Sequence, residues 1–130
     1  MMVKKIKRNI QPTKVNFVKN KKVSAQKVTN IEGTSSQGDL RIKPLLVTKK
    51  ALLMEVHRRK GLIDSEHQHN DHESICYLVS GRMRAYIEGE EFIANPGDSW
   101  IHKPGIVHYH ETLEDSIQLE LKIPPKKTWD

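Results

Sequence analysis

Four turn signals cut the second half of the chain into pieces too short to stand as helices. Ser80-Gly81, Glu88-Gly89, Asn95-Pro96-Gly97-Asp98 and Pro104-Gly105 supply the glycine and proline that reverse a chain. Between them lie residues 75–79, 82–87, 91–94, 99–102 and 106–110, which are apolar or alternate polar with apolar, as strands do. Residues 116–123 alternate too, with Ile117, Leu119, Leu121 and Ile123 on one side, and Pro124-Pro125 ends the run. Upstream, residues 23–31 read as an edge strand and 32–39 as a Gly- and Ser-rich loop. Pro44 makes 40–47 an interrupted or edge strand, and 51–57 is an apolar strand candidate. No amphipathic helix pattern is found. The fold class predicted is all-β, an antiparallel barrel or sandwich.

A chain of 130 residues holds one such domain. Cys76 stands alone, so no internal disulfide forms, and it reads as a small buried apolar residue. Neither a membrane-length apolar run nor a secretory signal is seen, which makes a cytoplasmic protein without a membrane partner the expectation.

The net charge of +6 comes from 22 basic and 16 acidic residues, unevenly placed. Residues 1–22 hold eight of the basic residues and no acid, leaving 14 basic against 16 acidic beyond them. The chain therefore divides into a basic N-terminal arm, 1–22, and a barrel domain, 23–130. Such an arm suits nucleic acid or an anionic surface, but Phe17 is its sole aromatic residue, so a solvated arm is expected rather than a nucleic-acid partner. Val15 and Phe17 alternate as a strand does, which leaves open an edge strand exchanged in a homodimer.

The chemistry concentrates in His67-Gln68-His69-Asn70-Asp71-His72-Glu73. Imidazole and carboxylate groups are the usual ligands of borderline divalent metals. On an extended segment His67 and His69 point to one side, with Glu73 available after a short bend.

Gly61, five residues, His67-x-His69, three residues, Glu73 and finally Gly81 resemble the first motif of the cupin superfamily. Gly97, five residues, a three-residue turn ending in Gly105, two residues and His108 resemble the second. Tyr77-Leu78-Val79-Ser80-Gly81 and Pro96-Gly97-Asp98-Ser99-Trp100 are similar to the small single-domain "cupin 2" proteins. The resemblance implies a jelly-roll β-barrel whose two motifs surround one cavity. It implies a divalent metal, Fe, Mn, Ni or Zn, held by His67, His69, Glu73 and His108. Two departures stand out. Lys103 replaces the usual proline, with Pro104 one place late. Counting from His69 puts the fourth ligand at Glu73, whereas counting back from Gly81 puts it at Ser74.

Acid–base candidates lie beside these ligands. His110 shares the strand face of His108, Tyr109 lies between them, and His72 adjoins Glu73. For each a structural reading stays open: a polar barrel residue, a packing aromatic and a solvated loop residue. His102 is expected to be exposed, and Arg82 and Arg84 to lie on an outer face. The function expected is that of a metal-binding enzyme, an isomerase, lyase or dioxygenase, using its metal as a Lewis acid on a small carboxylate or carbonyl substrate. The alternative is a non-enzymatic ligand-binding or sensory module with a structural metal.

Overall fold

A computed structural model describes residues 8–130; Lys4, Lys5 and Lys7 of the expected arm lie outside the described residues. Apart from one 3-10 turn at Asn20–Lys22, the regular structure described is β. In chain order the strands are β1 (Gln26–Lys27), β2 (Asn30–Ile31), β3 (Thr34–Gln37), β4 (Leu40–Val47) and β5 (Leu52–Arg58). They continue with β6 (Ile63–Asp64), β7 (Glu73–Ile87), β8 (Glu90–Ala94), β9 (Ser99–His102) and β10 (His108–Ile123).

The antiparallel pair β7–β10 is the spine, running from Ile87↔His108 to Glu73↔Ile123. Its register shifts between Thr112 and Gln118, and the two halves of the pair belong to different sheets. One half carries β9 beside β7 and β5, β4 and β1 beside β10. The other carries β8 beside β7 and β6, β3 and β2 beside β10. Two antiparallel sheets that share their longest strands make the jelly-roll barrel.

Gly81 marks the bend. Its φ is +92°, and a Cβ there would stand 2.1 Å from Ser116 Oγ and 2.4 Å from the Asp115 carbonyl oxygen. Only glycine lets β7 and β10 approach this closely where both strands turn.

The expected loop at 32–39 contains β3, whose pairing with β6 the polar sequence Thr34–Gln37 did not announce. Strand β4 continues through Pro44, and its ladder to β5 slips one place between Pro44 and Leu46. The described part of the arm is exposed along most of its length but anchored at a few points. Thr13 N–H donates to Val47 O, Lys127 N–H donates to Arg8 O, and Ile10 packs against the core. Val15 and Phe17 are exposed and form no strand.

The inner face is unusual in its polarity. One apolar cluster gathers Leu40, Ile42, Leu52, Met54, Val56 and Trp129; a second gathers Leu78, Met83, Ala94 and Trp100 with Cys76. Along β10, however, Ser116, Gln118, Glu120 and Lys122 are the buried set, while Ile117, Leu119, Leu121 and Ile123 are half-buried on the outside. One row therefore runs from apolar to polar and back, Met54–Glu120–Cys76–Trp100, while the next passes from apolar to polar and stays polar, Leu52–Lys122–Ser74–His102. Buried charge is tolerable only when paired. Lys122 Nζ meets Glu120 Oε2 at 2.7 Å and Arg58 meets Asp64 Oδ2 at 3.0 Å, with Gln118 bonded to both Arg58 and Glu120.

Candidate metal centre

The segment after β6 is stitched to the start of β10. His67 and His108 exchange both backbone hydrogen bonds, at 3.0 and 2.9 Å, as an isolated antiparallel bridge. The Gly105 N–H donates to the His69 carbonyl at 2.6 Å. The motif residues forty positions apart thus meet through their backbones, and their side chains follow.

His67, His69 and His108 are buried, and one ring nitrogen from each lies within 4.8 Å of the others. His67 Nδ1 pairs with the Ser65 carbonyl at 2.7 Å and His108 Nδ1 with the Ile106 carbonyl at 3.2 Å. These bonds place hydrogen on Nδ1 and leave Nε2 bare in both rings. His108 Nε2 is buried without a partner. His69 Nδ1 stands 3.8 Å from Glu32 Oε1, too far for a hydrogen bond.

Burial keeps the three rings neutral. It lowers His67 despite the opposing pull of Asp64, and it takes His69, with help from the Lys122 ammonium, to about 4. His108 falls to about 2 through burial and its histidine neighbours. Neutral imidazoles with bare nitrogens converging on one point are what a divalent transition metal binds, so the donor set fits the implied ion. A mouth of about 460 Å³ reaches His67 past Glu32, Thr34, Glu66, Gln68 and Asn70.

Glu73 does not join this group. Inward residues of β7 alternate through Ser74, Cys76 and Leu78, which puts half-buried Glu73 on the outer parity with Ile75 and Tyr77. Ser74 faces inward instead, its hydroxyl 3.4 Å from Lys122 Nζ. The register counted back from Gly81 is the one the strand adopts.

Of the acid–base candidates, Tyr109 is also on the wrong side. It alternates with His108 and His110 and stacks outside on Tyr86, ring centroids 4.3 Å apart. His110 is buried; its Nδ1 pairs with Asp64 Oδ2 at 3.0 Å, and its backbone N–H donates to Asp64 Oδ1. Burial alone would raise the Asp64 carboxyl, but His110 and Arg58 hold it well below the usual range. His72 is buried rather than solvated. Lys122 can only donate, so its 3.2 Å contact makes His72 Nε2 the acceptor and places the hydrogen on Nδ1, which donates to Asp71 Oδ1 at 2.8 Å.

His102 departs furthest from expectation. Pairing of β9 with β7 sets Trp100 and His102 inward, and His102 is 2 % exposed. Its Nε2 meets His110 Nε2 at 3.2 Å, its Nδ1 is buried and unpartnered, and one of its ring nitrogens lies within 4.8 Å of ligand atoms of Cys76 and Glu120. Arg84 lies on the outer face as expected, paired with Glu111 and Glu91, and Arg82 is exposed.

Residues 54–122 match the family model described as a cupin domain, a span that holds β7, β8, β9 and most of β5 and β10 together with all three histidines of the cluster. The chain belongs to the cupin family. It is 32 % identical over 76 residues to the pectin degradation protein KdgF of Dickeya dadantii, covering 58 % of this chain and 69 % of that one. The solved structure of KdgF from a Halomonas species superposes with a TM-score of 0.72 at 26 % identity, over 85 % of this cupin and 94 % of that chain. An RmlC-like cupin from Shewanella frigidimarina superposes at 0.74 with 17 % identity, over 92 % and 95 %, which speaks to fold alone. No helix among the described residues is long and apolar enough to cross a membrane.

Proposed function

We propose that this cupin is a metal-dependent enzyme acting on a small carboxylated sugar, of the kind released when pectin is broken down. The observation that carries the reading is the bare, buried Nε2 of His108 set beside nitrogens of His67 and His69, with His67 also lining an open pocket. The substrate class comes from the likeness to the two KdgF proteins, one of them named for pectin degradation, and pectin is a polymer of galacturonic acid. A three-histidine site leaves positions free, and the bound ion would polarise a substrate carbonyl or carboxylate oxygen.

The rest falls to the chain's own side chains. Asp64 accepts the Nδ1 hydrogen of His110 and leaves its Nε2 as a base, with His102 Nε2 able to return a hydrogen across 3.2 Å. That pair suits an isomerase or lyase, which moves a proton between substrate atoms and needs no outside oxidant.

Protein purified without chelator should carry close to one transition-metal ion per chain. It should convert uronate fragments of pectin, with the loss or gain of carbonyl groups followed by NMR, and lose this activity on metal removal. A chain that takes up no metal, or turnover undiminished after metal removal, would sink the reading; oxygen uptake during turnover would move it to the oxygenase class.

A further inference from the structure

Arg8 lies outside the matched span, yet its guanidinium sits at the edge of the histidine cluster. Nε donates to Asp71 Oδ2 at 2.8 Å and one terminal nitrogen donates to Asp71 Oδ1 at 2.7 Å. The other terminal nitrogen donates to Glu32 Oε1 at 2.8 Å, while the nitrogen bonded to Asp71 Oδ1 makes a longer contact of 3.4 Å to Glu32 Oε2. Each of these carboxylates has a histidine beside it. Asp71 Oδ1 accepts the hydrogen of His72 Nδ1, and Glu32 Oε1 stands 3.8 Å from His69 Nδ1. The two rings are themselves 4.5 Å apart. One planar cation therefore spans the outer partners of two neighbouring imidazoles.

We propose that Arg8 is a positioning residue of the metal site, clamping Glu32 and Asp71 so that they set the orientation of His69 and His72. The inference rests on the metal-site reading above. Glu32 faces His69 Nδ1 from outside hydrogen-bond reach, while Asp71 is bonded to His72, whose ring lies against His69; loss of groups that orient a ligating imidazole commonly weakens metal binding by about 10–100-fold. A two-pronged guanidinium–carboxylate pair is directional where a point charge is not. Backbone geometry supports the role, because Lys127 N–H donates to the Arg8 carbonyl at 2.8 Å and anchors the arm beside the site.

The competing account is a half-exposed ion pair that merely fastens the arm. Such a pair affects stability a little and metal binding not at all. Co(II) titration of the full chain, read by its d–d absorption, separates the two when thermal unfolding of the metal-free proteins is measured alongside. Wild type should bind one Co(II). Arg8→Ala should bind about tenfold more weakly with an altered d–d envelope. Glu32→Gln/Asp71→Asn should show a similar loss, and adding Arg8→Ala to that pair should cost no further affinity, because Arg8 acts through those two groups. Unchanged Co(II) affinity and spectrum in Arg8→Ala would overturn the proposal, whatever happens to its melting temperature. So would a full tenfold loss on top of the Glu32/Asp71 pair. If wild type binds no Co(II), the metal-site reading falls and this inference falls with it; wild-type binding with an unaffected Arg8→Ala removes this inference alone.

Discussion

His102 lies flat on His108, ring centroids 3.7 Å apart and planes 5° from parallel. Burial and the neighbouring imidazoles hold both rings neutral, so the stack carries no charge repulsion. It backs a proposed metal ligand with a surface fixed at its far end by His110. Replacing His102 by alanine opens a cavity behind that ligand, and metal affinity should fall about tenfold. Phenylalanine keeps the flat backing and should recover most of the affinity while lacking the contact to His110 Nε2. Zinc titration calorimetry of the two variants checks both statements; equal affinity in wild type and His102→Ala would show that the stack does not position His108.

Ligand identity can be read from three truncations. His67→Ala and His108→Ala each remove a nitrogen from the buried cluster and should abolish stoichiometric metal uptake. Glu73→Ala removes an outward carboxylate from β7 and should leave metal content at the wild-type level. Elemental analysis of the purified variants is sufficient. Metal lost from Glu73→Ala would mean that β7 changes register when an ion binds.

Lys122→Met strands the Glu120 carboxylate, which is buried and held well below its usual pKa, against burial, chiefly by Lys122. Breaking a buried pair from one side costs about 3–5 kcal/mol. Removing both charges in Lys122→Met/Glu120→Gln should return much of that loss. Urea unfolding of the metal-free proteins measures the difference. A single variant as stable as wild type would show that water reaches Glu120.

Stability of the metal-free protein should depend on pH in two stages. His67, His69, His72, His102 and His108 are all lowered from 6.5 by burial, His69 to about 4. Below 6.5 the unfolded chain takes up protons that the folded chain refuses. This contribution is complete above 6.5 and is lost as pH falls towards 4, at up to ~1.4 kcal/mol per pH unit for each histidine. Asp64 and Glu120 have folded pKa values below 3.8 and 4.5, so their contribution persists above those values and is lost at still lower pH. Urea midpoints should be flat above about pH 7 and decline between 6.5 and 4. Midpoints constant down to pH 5 would mean the histidines are not held neutral.

The clustering of His67, His69 and His108 was legible in the sequence because it depends on spacing. Gly61, His67, His69, Gly97 and His108 keep their separations whatever surrounds them, and the turn residues mark most strand ends. What was hidden is which face of a strand turns inward. The alternation of Ile117, Leu119, Leu121 and Ile123 defines two faces without saying which is buried. Hydrophobicity favours the apolar one, yet Gln118, Glu120 and Lys122 go inside because Arg58, Cys76 and His72 wait there on other strands. One clue was present. His108 and Lys122 share parity along a single strand, so a buried His108 predicts a buried Lys122 unless the intervening bend changes the count. The same parity argument run along β7 from Leu78 selects Ser74 over Glu73. His102 and Asp64 could not be placed without knowing the pairing of β9 with β7 and of β6 with β10. Arg8 lay in what composition presents as a spare basic arm.

Strand β10 carries His108 and His110 at one end and Glu120 and Lys122 at the other, and each half helps to build a different sheet. Assembly of the histidine cluster and closure of the barrel are therefore one event in folding. Contacts between β7 and β10 join residues as far apart as 73 and 123, so the loop closed before they form is long and the step is slow. A nascent chain gains little from docking one sheet early, because the shared strands must bend at Gly81 before either wall can take its final place.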